Sequence, residues 1–426
     1  MRSSVNIPLN GCDVFMLAMD GDIRRHGGCG NICHLLVRFA AGTDIEPLRQ
    51  AIALHPIFGF VSSLRLVYRL LRAPLWRPTT SPTTTDPCPT YSWSTMGELE
   101  GWVLTHSIDG TKEAPFGCLA LPLLNEGPTL LFYWHHALCD AHGGERLVSL
   151  ISKLNYPSST DIIPNRANTP SLAVAIRRAH ATKKRIYELA REPRSQPAPT
   201  QQPHKERRIY RKISFSPEET SAIDELSKTA TGGVFPTAMY LAATSRALST
   251  LGAGYDSATP FFVPVPHDIR RVTRQQSPLT NQVSVAFFRI ALSNNNTLLD
   301  TTNDIIGQLH DTVAGEHQQG MFDFLRILRW LPLRILWRII EHPTRGHPAS
   351  FYFSDIGASL STLDSVHNVP VVYATHYPPL LSPPGFTTVW SRYRGSLEVT
   401  VCSDLSVIGE NGAAIFEDRL RDEILP

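Results

Sequence analysis

A proline-dense, polar stretch at residues 193–204 (PRSQPAPTQQPH) interrupts the chain near its middle and limits the possible folds more than any other feature. Proline removes helix and strand options there, and the polar residues leave nothing to bury. A chain of 426 residues is too long for one ordinary core, so two domains of roughly 200 residues each are expected. The division predicted is 1–192, a linker at 193–207, and 208–426. No internal repeat is visible.

Hydrophobic patterning places elements on both sides of the linker. In the first half, Asp13 to Met19 reads as a helix and Ile32–Phe39 as a strand, since Leu35, Val37 and Phe39 alternate. Ile45–Leu54 reads as an amphipathic helix with Asp44 as cap and Pro47 in the first turn. Gly101–His106 and Thr129–Trp134 read as strands, and Glu145–Leu154 returns to helical spacing. Residues 77–90, dense in Pro and Thr, read as an exposed loop. In the second half, Arg208–Phe215 alternates as a strand, and Ser216-Pro217-Glu218-Glu219 opens a helix. Pro236–Leu251 reads as a buried helix. Pro260–Val265, Val283–Ile290, Ser350–Ser354, Val371–Thr375 and Leu397–Cys402 read as strands. Interleaved strands and helices argue for α/β layering rather than a sandwich or a bundle.

Composition narrows the function. Hydrophobic residues make up 42% and charged residues 18%, which is globular. A net charge of +2 is too small to suggest a nucleic-acid binder. Seven cysteines, an odd number, form no disulfide framework, and Cys29 and Cys33 lack a second pair at zinc-finger spacing. Reduced, mostly buried thiols are expected. With no apolar signal core and no long uncharged apolar run, a cytoplasmic location is the default.

The chemistry concentrates in Tyr133-Trp134-His135-His136-Ala137-Leu138-Cys139-Asp140. A strand runs into two histidines, then an aspartate, then Gly143-Gly144 before a helix. Strand ends facing a turn are where α/β proteins place reacting side chains. A histidine there can take a proton near neutral pH. The Asp can hold the turn, and the glycines let the backbone bend and approach a ligand. Chance alone supplies about 0.6 His-His pairs in such a chain but only about 0.03 with Asp at that spacing, so a buried core pair is the weaker reading. His26, His106, His142 and His180 show no metal-ligand spacing and read as surface or core histidines.

This motif resembles the HHxxxD acyltransferase superfamily of chloramphenicol-acetyltransferase-like enzymes, condensation domains, alcohol acyltransferases and wax ester synthases. Four further segments are similar: Pro8–Phe15, Val263-Pro264-Val265 through Arg270 to Leu279-Thr280-Asn281, Phe353–Gly357, and Tyr393–Asp404. The chain departs from the family pattern at Ala141 and Thr280, where Gly is usual, and at Asp355, where Asn is usual. The plant-type DFGWG box is absent. The resemblance implies two α/β domains side by side with an active-site tunnel between them. It implies His136 as general base, His135 as a structural member, and Asp140 paired with Arg270, with Arg271 next in line. It also suggests Ser354 or Asn281 as oxyanion donors. Implied substrates are an acyl-coenzyme A or acyl-carrier thioester and an alcohol or amine acceptor. No metal is implied, because a thioester is already activated. The alternatives to an O-acyltransferase are a wax ester or diacylglycerol-type synthase, an amide-forming condensation enzyme and, last, an inactive binding module.

Two stretches bear on substrates. Met321–Ile340 is intensely apolar yet carries Arg326, Arg329, Arg334 and Arg338 and is interrupted by Pro332. It reads as a kinked helix, either covering the core or meeting a membrane surface, and not as a bilayer span. It is expected to border the acceptor through Leu328 and Leu336. Ile176–Lys212 holds 12 Lys or Arg against three Glu. It reads as a solvated basic surface, with Lys183, Lys184 and Arg185 available to a carrier protein, coenzyme A phosphates or anionic lipid.

Overall fold

The computed structural model describes residues 5–69, 72–79, 86–153, 162–164, 170–195, 208–252, 255, 259–270, 277–293 and 295–425. The histidine motif ends the strand Thr129–His135, which lies inside an antiparallel five-stranded sheet. Its neighbours are Ile32–Phe39 and Phe116–Leu121, with Ile32 opposite His135. Beyond Ile32–Phe39 comes Val369–Tyr377, so the second half of the chain supplies a strand to the sheet of the first half.

A second sheet runs Tyr352–Gly357, Phe386–Tyr393, Ser396–Asp404, Arg208–Ser214. Its first pair is parallel and the others antiparallel. The hairpin Phe261–Asp268 with Val283–Ile290 lies beside it, and a small sheet joins Ile7–Pro8, Arg72–Pro78 and Leu64–Arg69. Two large hydrophobic cores result. One is built mainly from residues before Ile162, and the other wholly from residues 213–424.

Local chemistry explains most boundaries. Gly11–Arg25 starts from a reciprocal cap between Asn10 and Asp13, and Pro217–Thr231 from one between Ser216 and Glu219. Gly101–His106 is not a strand. It closes the helix Met96–Thr105, which begins at a Thr95–Glu98 capping box and buries Leu99 and Val103, four residues apart on one face. Residues 77–90 are only partly loop. Arg77 and Pro78 end a strand, Cys88 is buried, and residues 80–85 lie outside the described set. Of the linker, 196–207 also lie outside it, while Ser195 is buried and donates its N–H to the Pro260 carbonyl at 2.8 Å.

Pro332 splits the apolar stretch into His317–Leu328 and Leu333–Glu341. Met321, Leu325, Leu336 and Trp337 join the core of the first half. Arg334 and Arg338 are exposed, whereas Arg326 turns to Asp323 at 3.3 Å and Arg329 covers the Trp330 ring. The arginines therefore do not gather on one side. No described helix is long and apolar enough to cross a membrane. The basic helix Leu172–Arg191 packs lengthwise against His317–Leu328.

Candidate active site

The loop after Thr129–His135 is held from all sides. Trp134 Nε1 donates to the Cys139 carbonyl at 3.2 Å and Trp76 Nε1 to that of Ala137 at 3.3 Å. The His136 N–H donates to the Asn31 carbonyl at 2.9 Å. Opposite the loop, the Thr280 N–H donates to the Leu138 carbonyl at 2.8 Å, so a segment of the second half lies along the motif.

His135 is buried, and its Nδ1 accepts from the Ala137 N–H at 3.1 Å while Nε2 lies 3.6 Å from Asp20. Burial pushes its pKa down to about 4 against the pull of Asp20. A neutral ring thus braces the turn.

His136 is organised differently. Its Nδ1 lies 3.1 Å from Asn281 Oδ1. The Asn281 amide nitrogen donates to Asp13 Oδ1 at 2.9 Å and to the His136 carbonyl at 2.8 Å. Asp13 also accepts the Asn281 backbone N–H at 2.7 Å and that of Asn10 at 2.8 Å. With its nitrogen turned to two acceptors, Asn281 presents oxygen to His136. Nδ1 must then carry the hydrogen, and the Nε2 lone pair is left free. Burial lowers the pKa of His136, opposed by its own carbonyl, Asp140 and Asn281. Asp13 is buried, which raises its pKa to about 7 despite the donors converging on it. Both amide hydrogens of Asn281 are engaged, so it has no free donor for an oxyanion. Sequence reading placed Asp13 in a family-like segment but gave it no role.

Asp140 is buried and caps the helix Ala141–Ile151 by accepting the Gly143 N–H at 2.8 Å. Its carboxylate also accepts from Arg270 Nη2 at 2.7 Å and from the Gln282 N–H at 2.8 Å. Arg271 lies outside the described residues. Ala141 occupies an ordinary helical position, so the departure from Gly there costs nothing. Thr280 does take a left-handed φ of 78°, a conformation that glycine adopts without strain. Gly143 and Gly144 serve packing rather than ligand approach: a Cβ would meet the Pro278 carbonyl oxygen at 2.4 Å and the Trp134 ring at 2.2 Å.

If Asp140 and Arg270 act as one unit, each alanine substitution should lower Tm, and the double substitution should cost less than the sum. Breaking a buried pair from one side costs about 3–5 kcal/mol, because one charge is left unpaired. Thermal unfolding of the three variants checks this, and strict additivity contradicts it.

His136 opens onto a cavity of about 280 Å³. Its walls are mostly apolar, with Phe15 and Met16 from the first helix and Val285 and Phe287 from the hairpin. Ser354 lines it too, on the strand Tyr352–Gly357. The apolar stretch contributes Met321, Phe324, Trp337, Ile339 and Ile340, whereas Leu336 is buried in the core and Leu328 packs against it. Lys183, Ile186 and Tyr187 of the basic helix line the same cavity. The two helices are neighbours on one cavity rather than two separate surfaces.

No family model and no curated protein matches the sequence. Solved structures do match across nearly the whole chain. A trichothecene 15-O-acetyltransferase from Fusarium sporotrichioides aligns with a TM-score of 0.71 at 12% identity, covering 99% of this chain and 95% of that one. The first condensation domain of the calcium-dependent antibiotic synthetase, solved with a substrate analogue, gives 0.69 at 14% identity, covering 99% and 96%. The chain has the chloramphenicol-acetyltransferase-like fold. A wax ester synthase/diacylglycerol acyltransferase from Marinobacter aquaeolei shares this two-domain α/β fold at a TM-score of 0.59 and 13% identity, covering 97% and 98%.

Proposed function

We propose that this protein is an acyltransferase that moves an acyl group from a coenzyme A or carrier-protein thioester to a hydroxyl acceptor, with His136 as general base. The observation that carries the reading is the hydrogen-bond chain Asp13–Asn281–His136, which frees Nε2 at the wall of an apolar cavity. Neighbours of the same fold include acyl- and acetyltransferases and condensation domains. In the reaction, Nε2 takes the acceptor's hydroxyl proton as the oxygen attacks the thioester carbonyl. The C–S bond then breaks, and the imidazolium returns the proton to the leaving thiolate. Asp140 and Arg270 hold the loop, and Ser354 is the remaining candidate for hydrogen bonding to the oxyanion. Residues 1–192 and 208–426 form the two domains of this reading, joined by 193–207, with Val369–Tyr377 crossing back to pair with the first. Incubating the purified protein with a panel of acyl thioesters and alcohols tests the reading: free thiol should appear only when donor and acceptor are both present.

An amine acceptor or a long-chain alcohol would use the same base. The apolar wall favours the alcohol, since each buried methylene contributes about 0.8 kcal/mol. Phe324→Ala and Trp337→Ala should re-rank alcohols by size in kcat/KM, whereas Leu328→Ala should not, and a competition assay read by mass spectrometry measures the ranking.

Asp13 also sets a pH expectation. Its carboxylate holds the Asn281 amide in place, and its pKa is raised to about 7 by burial. Protonation on the acidic side would remove that hold. The acid limb of kcat/KM should therefore fall as pH drops through about 7, and a limb well below 6.5, the ordinary histidine value, would leave the limb to His136 alone.

A further inference from the structure

A second group of titratable side chains on the cavity wall has no part in the steps above. His142 stands in the first turn of Ala141–Ile151, with Glu145 three residues on. His376 arrives from the second half of the chain on Val369–Tyr377. Glu145 is buried behind both rings. Its Oε1 accepts from His376 Nε2 at 2.7 Å, and its Oε2 lies 3.5 Å from His142 Nδ1. The two imidazoles line the cavity, whereas the carboxylate does not.

Burial alone would raise the Glu145 carboxyl, but hydrogen bonds from His142 and His376 outweigh it and bring the pKa to about 2. The carboxylate thus stays ionised and fixes both rings, and the Trp134 ring, edge-on to His376, adds a second restraint. The His142 side chain remains 32% exposed. Burial works against the charged ring, but the hydrogen bond and charge of Glu145, with Asp140 and Asp268 near by, raise the His142 pKa above its ordinary value and favour the imidazolium. With Nδ1–H turned to Glu145, the Nε2–H is left to donate to a ligand. Among the described residues no set of His, Cys, Asp and Glu converges as a metal site. Three aspartates, Asp140, Asp268 and Asp355, line the cavity against one lysine, Lys183, so an anion would be poorly received. A neutral oxygen accepts a hydrogen bond without that penalty.

We propose that His142, oriented by Glu145 and His376, anchors the acceptor by donating a hydrogen bond to a second, neutral oxygen on an otherwise apolar molecule whose first hydroxyl meets His136. This rests on the acyltransferase reading and adds a substrate class to it: apolar compounds carrying two oxygens, as distinct from simple long-chain alcohols. The amide oxygens of a pantetheine thioester offer similar chemistry, so the test separates the two sources.

Titration calorimetry of the purified protein with α,ω-diols of increasing length, each against the mono-alcohol of equal length, needs no turnover. The best diol should bind about tenfold more tightly than its mono-alcohol, the size expected for one hydrogen bond to a charged donor. His142→Phe should bring the pair to parity, and His142→Gln should retain part of the preference. Glu145→Gln should weaken it without the substitution touching the ligand. Equal affinities for every pair in the wild type, or equal weakening of diol and mono-alcohol in His142→Phe, would overturn the anchor. A change in KM for the thioester, with the alcohol preference intact, would move the contact to the donor and overturn it too. Diol preference without any acyl transfer would instead overturn the enzymatic reading and leave the anchor standing.

Discussion

His136→Ala should lower turnover by about 10²–10⁴ while leaving Tm close to that of the wild type, since a positioned base contributes a factor of that size. The ring is bonded through Nδ1 to Asn281, a side chain that keeps its other partners, Asp13 and the His136 backbone carbonyl, after the substitution. Little folding energy is therefore at stake. His135→Ala should show the opposite balance. His135 is buried and bonded into the turn, so its loss opens a cavity and frees the Ala137 N–H. Steady-state rates and melting curves of both variants separate the two roles. More than about a tenth of wild-type turnover in folded His136→Ala would remove it as the base.

The second large effect is expected at Asp13, which reaches the His136 ring through the Asn281 side chain. Asp13→Asn preserves shape but replaces an acceptor by an amide. If that amide presents its nitrogen to Asn281, the Asn281 side chain flips and turns its own nitrogen toward His136 Nδ1. The proton would then sit on Nε2, where the lone pair is needed. A wrong-tautomer substitution of this kind costs up to about 10⁴ in kcat in a serine-protease triad, and a loss of about 10²–10⁴ is expected here. Tm should fall as well, because in either amide orientation one backbone N–H, that of Asn281 or of Asn10, loses its acceptor, at about 1–3 kcal/mol. Nitrogen-15 NMR of the imidazole distinguishes the tautomers directly. Loss of activity with Nε2 still unprotonated would contradict the explanation.

The site was only half legible in the sequence, and the reason is distance along the chain. His135, His136 and Asp140 sit in one turn, so their spacing exposes them. Asp13 and Asn281 are 268 residues apart, and no local pattern links them. Arg270 came from family likeness, and the structure places it 2.7 Å from Asp140. His142 reads as an ordinary histidine because His376, which shares Glu145 with it, lies on a distant strand. The assignment of Gly101–His106 to a strand failed differently. Its β-forming residues suggest a strand, although Thr95-Met96-Gly97-Glu98 carries a readable capping box just upstream. The strands Leu64–Arg69, Phe116–Leu121 and Phe386–Tyr393 went unread. Two of them are buried along nearly their whole length, so alternation, the usual strand signal, is absent.

Single-turnover mass spectrometry tests the central claim most directly. The protein is mixed with an equimolar acyl thioester and an excess of the preferred alcohol, and ester, free thiol, free acid and protein mass are followed together. Direct transfer through His136 predicts ester and thiol rising at the same rate and in equal amounts, with no acylated protein and no signal in His136→Ala. Thiol released with free acid instead of ester, or an acyl adduct on the protein that precedes the ester, would contradict it.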